Sequence, residues 1–99
     1  MWPEEKSLEA LRRRLDRVSN INRLLLRELA HSGKHGLYVS DLQTRMNLER
    51  DQVVYRGNEL ERLELVEILD LTDKNYRLGE SVWRVLGPNQ VELLDAFLR

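Results

Sequence analysis

The 99-residue sequence contains no cysteine, which excludes disulfides, cysteine-ligated zinc and thiol nucleophiles. It has no apolar run near the roughly 20 residues that a helix needs to span a bilayer. Its N-terminus lacks an apolar segment behind a basic start, so no secretory signal is recognisable. At this length the chain has room for one modest core and not for two. These absences predict a single domain over residues 1–99 that is cytoplasmic and makes no membrane contact.

Signatures of catalysis are also missing. The chain has no nucleophile motif, no Gly-rich phosphate loop and no cofactor fingerprint. His31 and His35 are four residues apart, but Gly33 lies between them and no third metal ligand is close in sequence. We interpret both histidines as exposed loop residues, and we expect neither an enzyme nor a bound metal or cofactor.

Charged residues are abundant and nearly balanced, with a formal net charge of −1. Residues 1–36 contain eight basic and five acidic side chains, a surplus of three, whereas residues 37–78 contain six and nine, a deficit of three. DNA affinity comes largely from neutralising phosphates. The distribution therefore weighs against DNA contact by the middle of the chain.

The first third of the chain has a helical apolar pattern. Pro3 suits the first position of a helix and Gly33 suits the residue after its end. The apolar positions between them follow a heptad pattern, with Asn22 at an a position: Leu8, Leu11, Leu15, Val18, Leu25 and Leu29. Such a seam favours a two-stranded partner. The alternative is a helix break before Asn22, with Ser19 or Asn20 capping a second helix.

Shorter elements follow, and their type is indicated by composition and spacing. They are an extended piece at 36–39, a helix at 41–46 capped by Ser40, a helix capped by Asp51 and running to about Glu64, strands at 65–71 and 76–78 around a polar turn, and helices at 80–86 and 89–99. On the longer helix, Val53, Gly57 and Leu60 share one face.

This order of elements is that of a winged helix-turn-helix, and several motifs resemble MarR-type and related archaeal and bacterial winged-helix regulators. Residues 39–42 (VSDL) match the start of the family's first helix-turn-helix helix. Residues 60–66 (LERLELV) match the stretch that leads from the recognition helix into the wing, except that Glu64 stands where the family favours glycine. Residues 47–48 (NL) and 77–79 (RLG) match the turn and the wing exit more loosely.

The resemblance covers Ile21 to Leu86 and implies a fold and a domain plan. The fold class is mainly α with a small β-hairpin, a winged helix-turn-helix with extra N- and C-terminal helices. Its winged-helix core is expected at 21–86, between an N-terminal helical extension at 1–20 and a C-terminal helix at 88–99.

The resemblance also implies a function, that of a dimeric, sequence-specific transcriptional regulator that binds double-stranded DNA. In this fold the second helix of the helix-turn-helix lies in the major groove, where glutamine and asparagine bond adenine and arginine bonds guanine. Side chains of three segments are the expected DNA contacts: Ser40 at a helix start, Arg50, Gln52, Tyr55, Arg56 and Asn58 on the recognition helix, and Lys74, Asn75 and Arg77 in the hairpin.

These residues also have ordinary structural interpretations. Arg50 and Arg56 can pair with neighbouring glutamates on a solvated helix, and Tyr55 can pack against the hairpin. Lys74 and Asn75 are common turn residues.

The dimer is predicted from apolar stripes that one small core has no room to cover. Pairing of the N- and C-terminal helices across a two-fold axis would bury them. The expected dimerisation residues are Leu8, Leu11, Leu15, Val18, Asn22, Val91, Leu94, Phe97 and Leu98.

Two other functions stay open. In one, the winged helix is a protein-protein interaction module that does not bind DNA and docks a basic protein partner on its acidic face. In the other, nucleic acid is contacted by the basic run Arg12, Arg13, Arg14 and Arg17, and the winged helix is a scaffold.

Overall fold

The computed structural model of the chain describes residues 7–69, 72–80, 82, 84 and 90–98. The elements in these residues are α1 (Ser7–Asp16), α2 (Asn20–Ser32), a 3-10 turn (Gly33–His35), β1 (Leu37–Tyr38), α3 (Val39–Met46), α4 (Arg50–Arg62), β2 (Val66–Leu69), β3 (Asn75–Leu78) and α5 (Gln90–Leu98). Glu80, Val82 and Arg84 are also helical. The chain is therefore mainly helical with a small antiparallel sheet. The predicted helix start at Pro3 and the rest of the predicted helix over 80–86 lie outside the described residues.

The first helical segment is broken rather than continuous. α1 ends at Asp16, and α2 begins behind Ser19, whose hydroxyl accepts the backbone N–H of Asn22 at 3.3 Å. The continuous heptad seam is therefore wrong, and the alternative with a capped second helix is confirmed. Gly33 has a φ of 75° and ends α2 as predicted, but His31 lies inside α2, with Nε2 at 3.1 Å from Asp95 Oδ2, instead of in a loop.

The three strands form one sheet in the order β1-β3-β2, with both pairs antiparallel. The predicted hairpin is confirmed as β2 and β3, and β3 begins at Asn75, one residue earlier than expected. β1 joins the sheet because Gly36 lets its backbone approach β3. A Cβ at Gly36 would lie 2.6 Å from Asn75 Oδ1.

α3 begins at Val39, two residues earlier than predicted. The carboxylate of Asp41 accepts the backbone N–H of Tyr38 at 3.0 Å and so satisfies the residue before the helix. Ser40 is therefore a first-turn residue and not the N-cap.

α4 ends in a left-handed residue. Glu64 has a φ of 62°, the Leu65 N–H donates to Leu60 O at 3.0 Å, and the Glu64 N–H donates to Glu61 O at 2.9 Å. This pair of bonds is the Schellman arrangement, in which glycine is the usual left-handed residue. The chain thus has a backbone conformation that glycine usually occupies, at the cost of a strained glutamate.

The core covers the apolar residues that sequence reasoning assigned to a dimer. Six of the nine expected dimerisation residues are buried in their own chain: Leu11, Leu15, Val18, Asn22, Leu94 and Leu98. Phe97 is half-buried against the same core, and the side chains of Leu8 and Val91 lie outside the described part of the structure. The argument that these stripes need a second chain is therefore wrong.

The cover comes from α5, which packs on α2 and α1. Arg23 of α2 binds both neighbours, because its guanidinium donates to Leu15 O at 2.8 Å and to Phe97 O at 3.4 Å. Two helices at opposite ends of the chain thus close one core.

Candidate nucleic-acid interface

α4 turns one face to the core and one to solvent. Val53, Gly57 and Leu60 are buried as predicted. Gly57 is needed because the ring of Tyr76 occupies the space beside it; a Cβ there would lie 2.9 Å from Tyr76 Cδ1 and closer still to Cε1. This close contact holds α4 against the sheet and fixes which side faces outward.

Three of the predicted contacts on α4 are exposed to solvent. Arg50 and Gln52 are exposed in the first turn, and Tyr55 is 58% exposed one turn later. The Tyr55 side chain therefore lies mostly in solvent, which does not favour the interpretation that it packs against the hairpin. Gln52 and Tyr55 lie on the side of α4 away from its buried face, as a groove-reading helix requires. Burial raises the pKa of Tyr76, and Arg50, at the N-terminal end of α4, is near enough to that ring to lower the pKa by a smaller amount.

Arg56 is engaged by its own helix. Its guanidinium carbon lies 5.7 Å from the centre of the Tyr55 ring, and its Nη1 lies 3.8 Å from Glu59 Oε1. The interpretation of Arg56 as the partner of a neighbouring glutamate is thus confirmed. A contact to DNA would have to replace a weak ion pair.

Gln52 is also partly occupied. Its Oε1 accepts the backbone N–H of Glu49 at 2.9 Å, which makes Gln52 part of the helix cap and moves the predicted cap from Asp51 to Glu49. A bidentate bond to adenine uses both atoms of the amide. Base reading by Gln52 therefore requires this cap bond to break. Asn58, two turns further on, is half-buried.

Asn75 does not reach outward. It is 3% exposed, its Nδ2 donates to His35 O at 3.3 Å, and its Oδ1 accepts two bonds from Arg77 at 3.2 and 3.3 Å. The prediction of Asn75 as a DNA contact is therefore wrong, because the side chain joins the 3-10 turn to β3. The Asn75 side chain positions Arg77. Arg77 and Lys74, the other predicted contacts in the hairpin, are half-buried.

The start of α3 is a poor phosphate site. Ser40 is exposed, as a contact would need, but the Asp41 carboxylate occupies the positive end of this helix. Two further carboxylates, those of Glu49 and Asp51, are exposed on either side of Arg50 in the sequence. The candidate interface thus mixes both signs of charge, as the sequence predicts.

The basic run on α1 is tied to its own chain at three of four positions. Arg13 pairs with Glu9 at 2.8 Å, the Arg14 guanidinium donates to Leu63 O, and Arg12 lies 5.9 Å from the centre of the Phe97 ring. Arg17 is exposed. A shallow groove of about 370 Å³ is lined by Ala10, Arg13, Arg14, Arg17 and Leu63.

Sequence reasoning missed Tyr38, which is 43% exposed. It pairs across β1 and β3 with Asn75, so its ring lies on the outer face of the sheet beside the Asn75–Arg77 pair. The register of β1 against β3 places Tyr38 beside this pair, and no local sequence pattern predicts that register.

None of the described residues forms a helix long and apolar enough to cross a membrane. Within that same part of the chain, no group of three or more metal-ligating side chains is close enough to hold an ion. The chain matches no family model, no curated protein and no solved structure in the comparisons with known proteins.

Proposed function

We propose that the protein is a winged helix-turn-helix that binds double-stranded DNA with α4 in the major groove and acts as a transcriptional regulator. The observation that carries the proposal is the exposure of Gln52 and Tyr55 on the side of α4 opposite Val53 and Leu60, with Arg50 exposed at the N-terminal end of the same helix. A helix of this kind, burying one side and offering polar side chains on the other, is what reads base edges.

The order of elements supports the same function. α2, β1, α3, α4 and the β2–β3 hairpin follow one another as in winged-helix regulators. In that arrangement the N-terminal part of α4 approaches the bases, and Lys74 and Arg77 of the hairpin approach phosphates.

The small number of basic side chains on this surface limits the expected affinity for DNA. Four candidate cations lie on this surface, Arg50, Arg56, Lys74 and Arg77, and Arg56 and Arg77 already have partners in the chain. If all four contact phosphates, the logarithm of the affinity falls against the logarithm of the salt concentration with a slope of about −3.6 per chain. Binding is thus expected to be weak at physiological salt unless two chains act together.

The proposed regulator is a homodimer, but its interface must differ from the predicted one. Because the predicted seam is buried, a two-fold interface would have to use exposed apolar side chains such as Ile21 and Leu24 on α2. Sedimentation velocity tests this directly, since a single 11.8 kDa species at all concentrations would remove the homodimer.

The test of DNA binding is a titration of labelled random duplex at several salt concentrations with matched arginine variants. Arg50→Ala is expected to weaken binding by about tenfold or more, whereas Arg13→Ala, an exposed arginine on α1, changes it little. Absence of binding at low salt contradicts the proposal. A larger loss for Arg13→Ala moves the contact to the basic run of α1.

Sequence reading is tested by selecting sites from a randomised duplex pool. Gln52→Ala should change which bases are selected, because a lost bidentate contact relaxes specificity at one position. Identical selections for both proteins would mean that the α4 face does not read sequence.

A further inference from the structure

The edge of the sheet formed by β2 offers a second binding surface, separate from the outward face of α4. β2 pairs with β3 on one side, and among the described residues no strand pairs with its other side. A groove of about 530 Å³ adjoins β2 and the end of α4 and is lined by Glu61, Glu64, Val66, Glu67, Ile68, Leu69 and Gly79. We call this surface the β2 groove.

The register shows which backbone groups face the groove. The Gly79 N–H donates to Leu65 O at 3.0 Å, and this bond flanks the pair Val66–Leu78. In an antiparallel ladder such a pair exchanges no direct bonds, and directly bonded pairs alternate with it. The N–H and C=O of Val66 and Ile68 therefore point away from β3. Ile68 is the more accessible of the two, because it is only half-buried.

The rim of the β2 groove is acidic. Glu61, at the end of α4, and Glu67, in β2, are exposed. Glu64 also lines the groove and is engaged within the chain. Arg77 lies across the ladder from Glu67, but its guanidinium bonds Asn75 instead. The Glu67 carboxylate accepts the N–H of Glu80 at 3.1 Å and keeps its negative charge at the edge.

We propose that the β2 groove accepts a basic, extended segment of another protein as an added strand. Strand addition takes its affinity from main-chain bonds to an open edge and its specificity from side-chain neighbours. Lysine or arginine on the added strand would lie on the same face as Glu67, with Glu61 adding negative charge at the end of the groove. Valine or leucine at the alternate positions would lie on the opposite face, beside Ile68.

A second copy of this chain fits the groove less well. Pairing of two β2 edges through both Val66 and Ile68 would set the two Glu67 side chains directly opposite each other, and like charges in that position are destabilising. A basic partner turns the same position into an attraction. The proposal does not depend on DNA binding, and the two can fail separately.

The test uses the full chain and a blocked peptide of about seven residues that alternates lysine and valine. Binding is followed by amide NMR shifts and by hydrogen exchange. The expected result is saturable binding, slower exchange of the Ile68 amide, and no binding of a peptide with glutamate in place of lysine. Shifts that map elsewhere, or unchanged exchange at Ile68, overturn the proposal.

Charge-reversal variants complete the test. Glu61→Lys and Glu67→Lys are each expected to weaken peptide binding by about fivefold. Glu92→Lys, an exposed position on α5, is the matched control and should leave it unchanged. Glu67→Lys also removes the bond that Glu67 accepts from Glu80, whereas Glu61→Lys leaves that bond intact. A loss of binding in Glu61→Lys therefore reports the change of charge and not a local change of structure. If Glu92→Lys weakens peptide binding equally, the effect comes from the net charge of the protein and not from the groove. If the free protein self-associates through β2, the partner at this edge is a second copy of the chain.

Discussion

Replacement of Gly57 by alanine tests the contact that orients α4. In an ordinary helix interior this change stabilises by about 1 kcal/mol, because glycine is the poorer helix former. Here the added methyl would enter the ring of Tyr76, at 2.9 Å from Cδ1 and 3.1 Å from Cζ. Tyr76 is 0% exposed, so its ring has no open space into which to move.

The expected effect is therefore of opposite sign. Overpacking of a buried site costs about 3 kcal/mol at the upper end of its usual range, and the helix-propensity gain offsets about 1 kcal/mol of that. We expect Gly57→Ala to lower the free energy of unfolding by about 2 kcal/mol, or the melting temperature by about 10 °C for a domain of this size.

Urea titration followed by circular dichroism measures the change, and a second variant identifies its cause. In a Tyr76→Leu background the ring is gone, so the cost of Gly57→Ala should vanish or become a gain. If Gly57→Ala is neutral or stabilising in the wild-type chain, α4 does not lie against Tyr76. If its cost is the same in both backgrounds, the ring is not the cause.

Two further predictions concern single residues. Glu64→Gly should raise the free energy of unfolding by about 0.5–1 kcal/mol, because a left-handed conformation costs a non-glycine residue more than glycine loses in chain entropy. The control Glu61→Gly, inside α4, should lower the free energy of unfolding by about 1 kcal/mol. If urea titrations show that both variants are destabilised, Glu64 is not strained. Burial raises the pKa of Tyr76 above its ordinary value of 10.0, with Arg50 lowering and Glu61 raising it by smaller amounts. The stability from protonated Tyr76 is thus complete below about pH 10 and is lost as pH rises through the folded pKa. Tyr76→Phe should remove this loss, and identical declines of wild type and variant in melting experiments between pH 9 and 11 would rule it out.

The two proposed surfaces follow different physics. The face of α4 offers side chains of mixed charge, so its partner is recognised by specific bonds more than by total charge. The β2 groove offers backbone groups and carboxylates, which suit an extended basic chain. A protein with both surfaces can bind DNA and a protein at separate places. The β2 groove is lined by β2 and the C-terminal end of α4, whereas the proposed base contacts lie near the N-terminal end of α4.

Local patterns in the sequence were sufficient for the element types and for the orientation of α4. The spacing of Val53, Gly57 and Leu60 predicted its buried face, Gly33 predicted the end of α2, and residues 65–78 predicted the hairpin. These features depend on side chains a few positions apart, where helix and strand periods act directly.

Only the tertiary structure decided what covers each apolar stripe and which polar side chains remain available. Leu11 and Leu15 are covered by helices of their own chain instead of a partner, and Asn75 is withdrawn into bonds with His35 and Arg77. The physical reason is that both outcomes join residues far apart in sequence. A periodic pattern states that a face must be buried, but it carries no information about which distant element buries it.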